Sequence, residues 1–263
     1  MKNKNKLFLI CCFFLFFLLE KGFSEQFEFE AKEIEISDSG NILIGKNDVK
    51  VISDNGIEIK AEKFLYDKEK SILSINGNVV ISDFENNVQI SGEEFIYEKN
   101  NEKIFSNKAI QAVLESKYKL TSNDLTYLVR ERKIISQKKT TVTDSLNNFL
   151  ETADFNYSVD DKIFRSNNFT FTDNVGNRSK IDKAILNTKN NQIIGKDLEI
   201  NFSKDSFGNS DNDPRLKGRA IFVKENNLQD ASNLLTMRIT VIPVLNYDFK
   251  LVGLINKKMP SQI

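Results

Sequence analysis

Residues 61–67 read Ala-Glu-Lys-Phe-Leu-Tyr-Asp, and variants of this phrase recur along the chain, with an apolar fourth position and an aromatic or apolar sixth position. The fourth-position anchors are spaced by 30, 31, 30, 30 and 29 residues, and they are Ile34, Phe64, Phe95, Leu125, Phe155 and Ala184. A fixed period of this length is typical of repeat proteins, in which each unit buries its apolar face against its neighbours. The phrase therefore predicts a stack of similar units that share one long apolar surface.

Apolar and polar residues alternate from about Phe27 to about Phe222, as in Val49-Lys-Val51 and Leu198-Glu-Ile200. Such alternation places one set of side chains on a buried face and the other set in water. Clusters of Asn, Gly and Asp separate the runs, and these residues are typical of turns. We therefore predict an all-β chain, a repeat-built β-jellyroll of stacked short antiparallel strands, with about three strands in each unit.

One set of apolar residues has the same parity within and between the units, which predicts that they line a common interior. These residues are Ile34, Ile36, Phe64, Tyr66, Val79, Ile81, Phe95, Tyr97, Leu125, Tyr127, Phe155 and Tyr157. On the residue pattern alone, such a stripe is more often a core filled by its own side chains than a binding groove. An interior that opens to solvent along one side would indicate a groove, whereas a closed interior would indicate a structural core.

The composition argues against several functional classes. The 37 Lys and Arg residues balance 37 Asp and Glu residues, so the chain has no surplus of positive charge for binding nucleic acid. Histidine is absent, which excludes a His general base, a His metal ligand and a Ser-His or Cys-His relay. Asp211 and Asp213 lack the further ligands of a calcium loop. We therefore predict no enzyme activity, no metal site and no cofactor.

The N-terminus has the features of a secretory signal peptide. Three lysines precede the apolar run 7–19. As a helix this run would be about 20 Å long, too short to cross a bilayer core of about 30 Å. Gly22 and Ser24 occupy the −3 and −1 positions that signal peptidase prefers. We predict that residues 1–24 are removed on export, with an uncleaved anchor as the alternative. Both cysteines lie in this segment, so the exported chain would contain no disulfide.

The pattern changes towards the C-terminus. Residues 208–215 are polar and rich in turn formers, which predicts a domain boundary. Beyond Lys224 the repeated phrase is lost, and Pro243 interrupts the longest apolar run of that region. We predict that residues 25–222 form the jellyroll and that residues 223–263 are a divergent tail, either frameshifted or the truncated start of a barrel.

The phrase at 61–67, followed by Gly-Asn-Val-Val-Ile at 77–81, resembles the OstA-like repeat of the lipopolysaccharide-transport proteins of Gram-negative bacteria. The resemblance covers roughly residues 27–222. Residues 212–218, Asn-Asp-Pro-Arg-Leu-Lys-Gly, are similar to the segment that joins the N-terminal periplasmic domain of LptD-type assembly proteins to their membrane barrel. The chain departs from that type because the barrel and the disulfide-forming cysteines are missing. A free-standing LptA-like bridge protein is therefore the alternative within the family.

The resemblance implies a twisted jellyroll whose apolar groove holds the acyl chains of lipopolysaccharide, with the lining residues named above. It implies edge-to-edge docking with other Lpt jellyrolls by β-augmentation and, for a full-length protein, with the outer-membrane barrel and lipoprotein complex. It also implies a location in the periplasm or at the outer membrane. A structural β-solenoid that binds no lipid is the alternative from another functional class.

Overall fold

The structure, a computed structural model, describes residues 27–190, 192–203, 215–224 and 239–240. These residues form β-strands joined by turns and two single-turn 3-10 helices, Asp38–Gly40 and Lys99–Asn101. The predicted all-β class is confirmed. No helix in this part of the chain is long and apolar enough to cross a membrane. The predicted signal peptide, the predicted boundary up to Pro214 and most of the predicted tail lie outside the described residues.

Every strand pair in the described residues is antiparallel. Most strands that follow one another in the chain are also hydrogen-bonded to each other. The strands are β1 Phe27–Glu30, β2 Glu33–Ser37, β3 Ile42–Ser53, β4 Glu58–Asp67, β5 Ile72–Asp83, β6 Val88–Glu98, β7 Lys103–Ser106, β8 Ile110–Leu114, β9 Tyr118–Ser122, β10 Leu125–Leu128, β11 Lys133–Ser136, β12 Thr140–Thr143, β13 Phe149–Thr152, β14 Phe155–Ser158, β15 Ile163–Thr172, β16 Arg178–Asn187, β17 Gln192–Asn201, β18 Arg215–Lys224 and β19 Ile239–Thr240.

The long strands bend in the middle and therefore belong to two sheets. The first half of β3 pairs with β2 and its second half with β1, and the pairing register shifts between Lys46 and Val49. The two halves of β6 likewise pair with β8 and β7. Sheet I contains segments 33–37, 42–46, 63–67, 72–76, 94–98, 103–106, 125–128, 133–136, 155–158, 163–167, 183–187, 192–196 and 220–224. Sheet II contains segments 27–30, 49–53, 58–61, 79–83, 88–92, 110–114, 118–122, 140–143, 149–152, 169–172, 178–181, 198–201 and 215–218.

The chain passes from one sheet to the other along one side only, which we call the spine. On the opposite side, which we call the mouth, each turn returns the chain to its own sheet, as residues 68–71 do in sheet I and residues 54–57 do in sheet II. Within the described residues the backbone therefore joins the two sheets at the spine, and only side chains join them at the mouth.

The second repeat contains two long strands where the sequence predicted about three short ones, whereas the middle of the chain, β7 to β14, consists of strands of four or five residues. In the second repeat these are β4 and β5, of 10 and 12 residues, and both run through the two sheets. The polar break at Asn76-Gly77 is a bend at the spine, with φ of +82° at Gly77 and +45° at Asn78. Glycine adopts this region without steric cost and Asn tolerates it. Turn-forming residues thus mark spine bends as well as mouth turns.

The two sheets face each other across an apolar interior. Residues paired across neighbouring strands point to the same side of a sheet, so the register defines two interior rows. In sheet I the row is Leu43, Tyr66, Leu73, Tyr97, Ile104, Tyr127, Ile134, Tyr157 and Phe164. In sheet II it is Val51, Ile59, Ile81, Ile90, Ala112, Leu120, Val142 and Leu150. Phe29 of sheet II stacks on Phe64 of sheet I with 4.6 Å between ring centroids, so the rows meet.

Candidate functional site

Ten of the predicted lining residues lie together in this interior, where none is more than 6% exposed. Their common parity in the sequence therefore corresponds to one shared interior of the folded chain. Burial of each large side chain contributes about 1.5–3 kcal/mol. The ten are Phe64, Tyr66, Val79, Ile81, Phe95, Tyr97, Leu125, Tyr127, Phe155 and Tyr157. Their role towards lipid stays a prediction.

The prediction that Ile34 and Ile36 also line the interior is wrong in this structure, because their exposed fractions are 46% and 65%. Both belong to β2, the first segment of sheet I, which pairs with β3 alone among the described residues. Their partners across the strands are Gly45 and Leu43, so they continue the interior rows of sheet I. No further described strand covers them, and they lie at the open end of the stack.

The interior is filled by the protein's own side chains. Tyr97, Tyr127, Phe64, Phe95 and Phe169 are the largest of the fully buried ones. A groove was expected to open to solvent along one side, whereas in the described residues the mouth is closed. A closed interior was expected of a structural core, so the interior in this structure is a core. The contacts that close the mouth decide whether the interior can open into a groove.

Tyrosines from three successive repeats reach the mouth ends of sheet II. All three occupy the sixth position of the repeated phrase in sheet I, so a tyrosine recurs at the mouth every 30 residues. A buried tyrosine hydroxyl needs a polar partner, and each of these three has one on the opposite sheet. The bonds are Asn55 Nδ2 donating to the Tyr97 hydroxyl at 3.0 Å, the Tyr127 hydroxyl donating to Asp83 Oδ2 at 2.6 Å, and the Tyr157 hydroxyl donating to Glu115 Oε1. The Tyr97 hydroxyl also donates to Glu102 Oε2 in its own sheet I turn at 2.8 Å.

Ion pairs span the mouth beside these bonds. Each joins a basic residue in or beside a sheet I turn to an acidic residue in a sheet II turn. The pairs are Lys99–Asp54 at 2.6 Å, Arg132–Glu85 at 3.5 Å and Lys162–Glu115 at 3.8 Å. The Lys99 side chain is only 4% exposed, although its partner Asp54 is 41% exposed, so this pair is desolvated on the lysine side. The exposed Arg132 pair contributes little. The mouth is therefore held by a repeating set of polar side-chain contacts.

The spine has repeated hydrogen bonds of its own. Asp124 accepts hydrogen bonds from the backbone N–H groups of Gln137 and Lys138 at 2.9 and 3.2 Å. One repeat later, Asp154 accepts from the backbone N–H and the side-chain amide of Asn167, both at 2.6 Å. Continuous backbone and these bonds together hold the two sheets at the spine more firmly than the side chains hold them at the mouth.

The tyrosine partners were not among the predicted site residues. Asn55, Asp83 and Glu115 were visible in the sequence only as turn or strand-end residues. A usable signal was present for the ion pairs, because their acidic members Asp54, Glu85 and Glu115 follow nearly the same period as the tyrosines. Tyr127 and Asp83 are 44 residues apart in the sequence and lie in different sheets. Sequence spacing alone does not show that residues so far apart come into contact.

Burial raises the pKa of Tyr97, Tyr127 and Tyr157 above the usual value for tyrosine, and hydrogen bonds to carboxylates raise it further. The carboxylates are those of Glu102, Asp83 and Glu115 respectively. Because the neutral hydroxyl is favoured in the folded protein, its proton is lost more readily from the unfolded chain.

We expect the free energy of unfolding to fall as the pH rises above about 10, the pKa of tyrosine in an unfolded chain. The stability contributed by a raised folded-state pKa is fully present below that value and is lost as the pH rises towards the folded-state pKa. Urea unfolding at a series of alkaline pH values measures the slope. The variant with Tyr97→Phe, Tyr127→Phe and Tyr157→Phe should show a clearly smaller slope. An unchanged slope would show that these hydroxyls do not cause the effect.

Within the described residues, no group of three His, Cys, Asp or Glu side chains is arranged to hold a metal ion. The sequence matches no known protein family and no curated protein. Among solved structures, the chain is similar to the crystal structure of LptH from Pseudomonas aeruginosa, the LptA-homologous periplasmic component of its lipopolysaccharide transport device. The identity is 12%, the TM-score is 0.24, and the match covers 54% of this chain and 81% of that chain. A superposition this loose leaves the function to be argued from the residues themselves.

Proposed function

We propose that this chain is a periplasmic lipid-transport scaffold whose interior takes up the acyl chains of lipopolysaccharide. The observation that carries the proposal is the construction of the interior, which continues through successive repeats with backbone at the spine and only side chains at the mouth. Two sheets joined along one side can separate along the other without breaking their strand pairing. Such an interior suits a long apolar ligand better than a compact one.

The energies of the contacts across the mouth are small enough for bound acyl chains to replace them. A hydrogen bond between neutral groups contributes about 0.5–1.5 kcal/mol, and one to a charged group about 1.5–3 kcal/mol. Each methylene removed from water contributes about 0.8 kcal/mol. A ligand with several acyl chains can therefore offset the loss of a few bonds at the mouth, such as those of Tyr127 and Tyr157.

The sequence resemblance supplies the ligand class, since the repeats at 61–90 resemble those of lipopolysaccharide-transport proteins. The second element of the resemblance, residues 212–218, has a different setting from the one predicted. Arg215–Gly218 are the first residues of β18 and pair with β17, so this part of the segment continues sheet II. An LptD-like periplasmic domain and an LptA-like bridge protein both fit this arrangement, and the bridge protein is the alternative.

The ends of the stack differ in charge, which favours docking to other Lpt jellyrolls in one orientation. Among the described residues, β1 and β2 pair only with β3, and the exposed Ile34 and Ile36 lie there. Strand addition at this end would cover both side chains and satisfy the free strand edge. The N-terminal strands carry Glu28, Glu30, Glu33 and Glu35, whereas β18 carries Arg215, Lys217, Arg219 and Lys224. The sheet II half of β18, residues 215–218, pairs only with β17 among the described residues, whereas Phe222 and Val223 pair with β19. A basic edge of the 215–218 type therefore suits the acidic N-terminal end.

The same proposal places the chain in the periplasm or at the outer membrane after export by residues 1–24. A full-length protein of the LptD type would also contact the outer-membrane barrel and lipoprotein complex. It requires no nucleic acid, cofactor or catalytic group.

Photo-crosslinking with purified lipopolysaccharide tests the ligand. A benzoylphenylalanine in place of Phe95 or Phe155 lies in the interior, and one in place of the exposed Glu94 points to solvent. We expect the interior probes to capture lipopolysaccharide and the Glu94 probe to remain unlabelled. Equal labelling at all three positions would contradict an interior binding site.

A structural β-solenoid that binds no lipid is the second candidate, and the complete filling of the interior favours it. Under that alternative, saturating lipopolysaccharide would label neither interior probe and would leave the unfolding temperature unchanged. Lipid that binds the folded chain raises that temperature by mass action, so the two functions give opposite results.

A further inference from the structure

The bonds across the mouth are not distributed evenly along the stack. They link sheet I to the sheet II ends at Asn55, Asp83 and Glu115. Thr188 also donates to Glu115 at 3.2 Å. In the two following sheet II turns the aspartates are engaged within their own turns. Asp144 bonds to Leu146 and Asn148, and Asp173 bonds to Val175 and Asn177.

The change coincides with a change in the repeated phrase. In the last copy, Leu186 occupies the sixth position, which Tyr97, Tyr127 and Tyr157 occupy in the bridged repeats. Leucine fills the interior but has no hydroxyl that could reach across the mouth. The hydroxyls are therefore not a general requirement for packing this position.

We propose that Tyr97, Tyr127 and Tyr157 form a mouth latch, whose opening lets acyl chains pass sideways between the two sheets into the interior. This inference rests on the proposed function and adds the route that the ligand takes. The mouth latch closes three successive repeats, and it opens by loss of side-chain contacts alone. Each of these three repeats has a tyrosine bond across the mouth, with an amide donor at Tyr97 and carboxylate acceptors at Tyr127 and Tyr157. An acyl chain held in one repeat can therefore move to the next when the next tyrosine bond breaks.

Tyrosine-to-phenylalanine variants separate the latch from the core, because they remove the hydroxyl and keep the buried ring. Tyr66 provides the matched control, since it also lies in the interior row of sheet I. Its hydroxyl interacts with Ser71, in the turn of its own sheet. Tyr66→Phe therefore removes a buried hydroxyl whose bond to Ser71 lies within sheet I.

Opening of the interior can be measured without any ligand. Ala112 is an interior residue of sheet II and is 2% exposed. In the chain with Cys11→Ser and Cys12→Ser, Ala112→Cys supplies a single buried thiol. We expect the triple phenylalanine variant to react with a thiol reagent roughly tenfold faster or more, and Tyr66→Phe to react at the parent rate. A weak dependence of the rate on urea identifies local opening, since global unfolding shows a strong one. Equal rates in the triple variant and the control would overturn the latch.

A cross-link across the mouth tests the route. Arg132 contacts both Asp160 of a sheet I turn and Glu85 of a sheet II turn, at 3.1 and 3.5 Å. In the chain with Cys11→Ser and Cys12→Ser, the variant Glu85→Cys with Asp160→Cys supplies one thiol on each sheet. A short bismaleimide that joins the two thiols ties the sheets together and leaves all three tyrosines in place. The probe is cis-parinaric acid, a fluorescent fatty acid. We expect the cross-linked protein to take it up at least about tenfold more slowly than the same variant without the cross-linker.

The outcomes separate the route from the function. Uptake at an unchanged rate after cross-linking would overturn the sideways route and leave the lipid scaffold standing, with the stack ends as the route. If the parent chain binds neither the fatty acid nor lipopolysaccharide, the proposed function fails. The thiol measurement then still decides whether the tyrosines control the opening of the interior.

Discussion

Replacing Phe95 with Asp is expected to unfold the stack or to lower its free energy of unfolding by at least about 4 kcal/mol. Phe95 is completely buried, and its strand partner Ile75 is also buried, so both sides of the site are apolar. The substitution removes a large apolar side chain and places a carboxylate in the apolar interior. Because neighbouring repeats pack on this position, the damage should extend beyond its own unit.

The matched control for this variant is Glu94→Lys, at the adjacent position on the other face of the same strand. Glu94 is exposed, so we expect a change within about 0.5 kcal/mol. Urea unfolding followed by circular dichroism measures both variants. A Phe95→Asp protein as stable as the parent would show that this side chain does not belong to the core.

Gly45→Ala is expected to destabilise the chain by about 1–3 kcal/mol, although it adds only one methyl group. A Cβ at Gly45 would lie 2.6 Å from Cδ1 of Phe64 and closer still to Cε1. The ring is not free to withdraw, because Phe29 stacks on it at 4.6 Å with the planes 22° apart. The added methyl group therefore has to displace the aromatic cluster at the N-terminal end of the interior.

Gly92→Ala is the control and should cost less. A Cβ at Gly92 would lie 3.1 to 3.3 Å from its nearest neighbours, which need to move only slightly. A double variant with Phe64→Leu tests the mechanism. Removing the ring should recover part of the loss caused by Gly45→Ala, so the two effects should not be additive. Strict additivity in thermal or urea unfolding would show that the cost arises elsewhere than at the ring.

The candidate site was predictable in part. Tyr97, Tyr127 and Tyr157 were identified from their period and parity, which are properties of neighbouring residues within a strand. Their partners across the mouth were not, because each lies more than 40 residues away in the other sheet. Contacts between residues so far apart depend on how the two sheets are positioned relative to each other. The alternation of apolar and polar residues along a strand carries no information about that position.

The sequence by itself determined the all-β class, the repeat and the shared face of residues such as Phe64 and Phe155. These follow from two local rules, since side chains alternate along a strand and a period near 30 residues returns each unit to the same place. Only the tertiary structure decided that each long strand bends at the spine, as at Gly77, and so joins two sheets. It also decided that Ile34 is exposed and that the mouth is closed. The exposure of Ile34 depends on whether another strand packs beside β2. Closure of the mouth depends on side chains of the opposite sheet. Both are therefore set by residues distant in the sequence.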